Sequence, residues 1–120
     1  MVSPYAYIGM KNTVVHQSVL SEEQNNLITD NLIACVCEFY KVDLTKIKSR
    51  DRHEPTMTAR HVSIWFVRQK TNYSLKKIGQ LFGKRDHTSV IHSLKVVNDQ
   101  LTSKFDNPIK SDIPHLKMII

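Results

Sequence analysis

A chain of 120 residues has room for one domain with a modest core and is too short for a second of ordinary size. Its 41% apolar residues, three glycines and four prolines exclude fibrous and disordered classes. The net charge of +6 is local: residues 41–95 hold thirteen lysines and arginines against four acids, a balance of +9, while the remainder balances to −3, and such concentration suits a surface that faces phosphates.

Residues 1–21 read as an arm, with Tyr5, Tyr7 and Ile8 assigned no chemistry. No charged stretch followed by a long apolar one marks a secretory signal there. Residues 22–120 are expected to form a single helical domain. Ser21-Glu22-Glu23-Gln24 has the spacing of a capping box, so a helix starts there and runs to about residue 40. Ile28, Leu32, Cys35, Val36 and Phe39 fall at helical spacing and form its core stripe. Cys35 and Cys37 have no second pair with which to build a disulfide framework or a four-ligand zinc site, and read as reduced core thiols; no metal is expected. Apolar runs such as residues 32–36 are far below the roughly 18 residues of a membrane span.

Asp43 caps a short turn through Ile47. Residues 48–55, polar and ended by Pro55, read as an exposed loop. Thr56 or Thr58 caps the next helix, to about residue 72, with Val62, Trp65, Phe66 and Gln69 on one side and Trp65 in the core. Ser74 caps a short helix with Leu75, Ile78, Leu81 and Phe82 apolar, and Gly83 stands where a left-handed residue ends it. Asp86 caps the last strong helix, where Val90, Leu94, Val97 and Leu101 form a stripe and Thr88, His92, Lys95 and Asp99 the opposite side. Asn107-Pro108 reads as a break, with Pro114 early in a final turn and Ile113, Leu116 and Ile120 available to cover the core. No stretch sustains a period of two, so the fold class is all-α.

Two helices joined by Gly83-Lys84-Arg85 match a helix-turn-helix spanning residues 74–103, whose second helix enters the major groove N-terminus first. Lys84 and Arg85 suit phosphate, and His87, Thr88 and Ser89 are small enough to let a helix approach base edges. Asp86 reads either as a plain cap or as an acceptor from a cytosine or adenine amino group.

The segment SLKKIGQLFGKRDHTSVIHSLKVV resembles the signature of the C-terminal, origin-box-binding domain of the bacterial replication initiator DnaA, approximately S-L-x-x-I-G-x-x-F-G-x-R-D-H-T-T-V-x-H. The similarity extends through EFYKVDLTKIKSR and ARHVSIWFVRQKT, so roughly residues 30–106 look like that domain. The resemblance implies base contacts from Asp86, His87, Thr88, Ser89 and His92, with Arg52 entering the minor groove. It also implies phosphate contacts near Arg60, His61, Arg68 and Lys76 or Lys77, and Arg50, Lys84, Arg85 and Lys95 join them as basic candidates for the same role. Ser89 replaces the usual second threonine, His61 replaces a common glutamine, and Glu54-Pro55 stand where the family is more basic, which bears on the preferred box and on affinity.

Gly79 to Gly83 encloses three residues and no Ser or Thr follows Lys84, so this is not a phosphate-binding P-loop, and no cofactor is expected. An ATPase of the initiator type would lie on a separate or a longer chain. His87 and His92 are five apart, splayed on a helix without a carboxylate to complete a triad, which argues against an enzyme. Double-stranded DNA in the bacterial cytoplasm, at the nucleoid, is the implied partner and place. The alternative left open is an interaction module or transcriptional regulator that does not act at an origin.

Overall fold

In the computed structural model, residues 20–120 are described; the arm expected over residues 1–21 lies almost wholly outside them. The elements are α1 (Glu22–Tyr40), α2 (Leu44–Ile47), α3 (Glu54–Lys70), α4 (Leu75–Leu81), α5 (His87–Thr102) and α6 (Pro108–Ile119), with no strand among the described residues. No helix among them is long and apolar enough to cross a membrane.

Helix starts follow local chemistry. Ser21 Oγ accepts from Gln24 N–H at 3.1 Å and Gln24 Oε1 from Ser21 N–H at 2.8 Å, closing the expected capping box. Asp43, Ser74 and Asp86 cap α2, α4 and α5 as expected. The start of α3 differs. Neither Thr56 nor Thr58 caps it: the helix begins at Glu54, with His53 at the cap making no side-chain bond and Pro55 in the first turn, where a missing N–H costs nothing. The α6 helix also starts earlier than expected. Asn107 accepts from Lys110 N–H at 2.9 Å and Pro108 opens the helix, so Asn107-Pro108 is a start and Pro114 lies inside.

Burial runs all the way round the middle of α3, from Val62 through Val67, because the helix is clasped between α1 and α5. A one-sided stripe ending on Gln69 was expected there; Gln69 is exposed. On α1 the core line passes through Asn25, Thr29, Leu32, Ile33 and Val36, so Ile28 and Cys35 sit half-buried at its edge. Thr29 is tolerated inside because its hydroxyl donates to Asn25 O at 2.8 Å. Trp65 is in the core, its Nε1–H donating to Asn98 Oδ1 at 3.1 Å. Val90 and Val97 of α5 are buried, with Leu94 and Leu101 packed at the margin. The final helix contributes Ile109, Ile113 and Leu116 to the core, and Tyr40 Oη donates to Asp112 Oδ2 at 2.8 Å, tying the end of α1 to it.

The turn between α4 and α5 is closed by Arg85 N–H donating to Gly79 O at 2.8 Å. A Cβ on Gly79 would lie 2.1 Å from Arg85 O. Gly83 has φ +91°, and a Cβ there would lie 2.2 Å from Lys48 O, in the loop before α3. Only glycine fits either position.

Candidate nucleic-acid interface

The first turn of α5 projects from the surface. Asp86 Oδ1 accepts from the N–H groups of Thr88 and Ser89 at 2.8 and 3.2 Å, fixing the helix start. His87, Thr88, His92 and Lys95 are exposed and Ser89 is half-buried, while Val90 on the other side is fully enclosed.

Two depressions flank this turn. One, of about 350 Å³, is lined by Arg50, Arg52, Met57, Arg60, His61, Arg85, Thr88, Ser89, His92 and Ser93. The other is lined by Lys76, Gln80, Lys84, Arg85, Asp86 and His87. Twelve of the fifteen side chains expected to meet DNA therefore converge on the two hollows. Arg68, Lys77 and Lys95 line neither. Arg68 Nη1 donates to Tyr73 O at 3.2 Å, Lys77 lies 3.9 Å from Glu22 Oε2, and Lys95 pairs with Asp99 at 3.0 Å.

The loop carrying Arg50 and Arg52 has no regular structure, and two guanidinium groups hold it. Arg60 Nε donates to Ile47 O at 2.8 Å, and its Nη2 to Lys46 O, Ser49 O and Asp51 O at 3.0–3.1 Å. Arg85 Nε donates to Phe82 O at 2.9 Å and Nη2 to Ser49 O at 2.6 Å. Arg60 was expected at a phosphate, but it is only 5% exposed and its donors are turned onto the loop backbone. It positions Arg50 and Arg52, which are exposed. Sequence alone does not reveal this task, which spans nine to fourteen residues along the chain. Met57, Ser93 and Gln80, the lining residues the sequence did not single out, carry no charge that would mark them.

Like charges crowd this hollow. Burial and the neighbouring Arg50 and Arg52 push the Arg85 guanidinium below its usual range, and burial followed by Arg85 does the same to Arg60. Asp51 is held ionised, its carboxyl lowered to about 2 chiefly by hydrogen bonds from the His53 ring and backbone N–H. A bound anion would relieve the crowding that remains.

His61 is neutral at pH 7. Burial, then His92, Arg60 and Arg85, push its imidazole down to about 4, and Nδ1 lies 2.8 Å from Ser93 Oγ. The folded value is thus below the ordinary 6.5, so the unfolded chain binds the proton more readily. The resulting stability is complete above about pH 6.5 and declines as the pH falls from there toward 4. Thermal melting at constant ionic strength should show Tm falling over that window, and His61→Gln should flatten the fall. An identical slope in both proteins would remove His61 as its source.

Residues 29–97 match the family of the bacterial dnaA protein helix-turn-helix. The chain is similar to the chromosomal replication initiator protein DnaA of Dechloromonas aromatica, 34% identical over 95 residues that make up 79% of this chain and 20% of the relative. It is also similar to the proteins of that name from Leifsonia xyli, 30% identical over 77% of the chain and 20% of the relative, and Herpetosiphon aurantiacus, 31% identical over 93% and 25%. The chain thus spans about a fifth to a quarter of the length of these curated relatives.

Proposed function

The chain belongs to the bacterial DnaA helix-turn-helix family, and from that membership we propose that it binds double-stranded DNA sequence-specifically, at boxes of the kind used in replication initiation or its regulation. The observation that carries this reading is the exposed first turn of α5, standing as a ridge between two basic hollows. A major groove about 12 Å wide admits such a helix. His87, Thr88, Ser89 and His92 then meet base edges, with Asp86 beside them. Lys84 and Lys76 on one side, and Arg50 on the other, meet the flanking phosphates, which set register without reading sequence. Arg52, on the pinned loop, reaches the adjacent minor groove, where narrow A·T-rich stretches attract a guanidinium. Arg68, Lys77 and Lys95 act at the margins of this footprint. The chain works by binding and not by turnover, in the bacterial nucleoid, with any ATPase supplied by a longer or a separate chain.

Thr88 is the decisive test. It is exposed and its side chain holds nothing in the core, so Thr88→Ala should leave Tm nearly unchanged. At a duplex selected from a random library it should cost about 1–3 kcal/mol and relax discrimination at one base pair, with little effect on scrambled duplex. A folded variant with unaltered selectivity would remove α5 as the reading helix.

A further inference from the structure

Among the described residues six large apolar side chains are exposed: Leu27, Leu44, Ile91, Phe105, Met118 and Ile119. Only Ile91 belongs to α5, where it is 46% exposed. It follows His87 by four residues and Thr88 by three and precedes Lys95 by four, so it shares the outward face with all three. It lines neither hollow, although Asp86, His87, Thr88, Ser89 and His92 each line one of them. Its place is the exposed outer face of α5, one turn beyond the helix start.

A branched aliphatic side chain on that face cannot hydrogen-bond, so it is blind to the donors and acceptors by which bases otherwise differ. The one apolar feature a base edge offers in the major groove is the C5-methyl group of thymine. We propose that Ile91 reads a C5-methyl group, making it a specificity-determining residue that discriminates thymine from cytosine by the methyl and not by the pairing edge. This rests on the reading of α5 as the helix that enters the groove. Ile91 stands one helical turn, about 5.4 Å, beyond His87. The methyl it meets therefore belongs to a base pair beside those met by the first turn.

Deoxyuridine tests the idea, since it removes the methyl and keeps the pairing. In a duplex selected from a random library, each thymine is replaced singly by deoxyuridine, and the full chain and its Ile91→Ala variant are titrated against the set. Burial of one methyl corresponds to about a four-fold change in affinity. The unaltered chain should lose about that factor at one thymine. Ile91→Ala should show the same loss on the unmodified duplex and be indifferent to deoxyuridine at that thymine, with Ile91→Val between the two. An Ile91→Ala protein that binds as tightly as the parent, stays sensitive at every thymine, or loses equally on scrambled duplex would overturn the assignment. If the parent itself prefers the selected duplex no more than a scrambled one, the DNA-binding reading fails first. Ile91 is solvent-facing and alanine is the better helix former, so the variant should melt where the parent does.

Discussion

Arg60→Met should destabilise the protein by about 3 kcal/mol and weaken DNA binding further than that loss explains. Methionine keeps much of the volume and discards the donors. Four carbonyls, on Lys46, Ile47, Ser49 and Asp51, then lose the group that organises them. A hydrogen bond to a charged partner contributes about 1.5–3 kcal/mol, so four would sum to more than the figure given. Two effects reduce it: loop carbonyls freed of Arg60 can turn to water, and removing the charge relieves its repulsion with Arg85 and Arg52. Urea melting gives the stability, and titration at a temperature where both proteins are folded isolates binding. Arg60→Lys, which keeps charge but not the planar fork, should fall between. Wild-type binding by a folded Arg60→Met protein would mean that the loop needs no clamp.

Gly79→Ala should be nearly as damaging, against the usual sign. Inside a helix, alanine ordinarily stabilises relative to glycine by about 1 kcal/mol. Here the added Cβ would sit 2.1 Å from the carbonyl oxygen of Arg85, and both sides of that contact are backbone, so no side chain can step aside. The turn must open, straining the Arg85 N–H to Gly79 O bond and shifting α5 relative to α4. A net cost of about 2–3 kcal/mol is expected, which lowers Tm by roughly 10–20 °C. Calorimetry decides it. A Tm at or above that of the parent would show that the turn has room for a methyl group.

What the sequence displayed, and what it hid, divides along the reach of the forces involved. Caps act over three residues, so Ser21, Asp43, Ser74 and Asp86 were legible as helix starts. The α3 start was not, because His53 offers no side-chain cap bond and Pro55 suits a loop as well as a first turn. The α5 stripe was legible because that helix lies on the outside and keeps a polar face. The middle of α3 is enclosed by two neighbours and keeps none, so periodicity misled there. Buried Asn25 and Ser93 were hidden because their polarity is answered inside the fold, by bonds only the assembled structure displays, and buried Thr29 because its hydroxyl turns back onto the carbonyl of its own helix. The outward side chains of α5 were readable from position alone. The inward turn of Arg60 depended on where a distant loop lies.

The carbonyl of Ser49 receives both Arg60 and Arg85. That single atom joins the loop, α3 and the turn that launches α5, so the two parts proposed to address DNA form a ruler of fixed length. A hinged arm and helix would adapt to sites of varied spacing, and would lose conformational freedom each time they settled. A ruler loses little on docking, because its geometry is set beforehand. It accepts only one phase: inserting a single base pair between the steps touched by the loop and by α5 would rotate one contact out of reach whenever the other is seated.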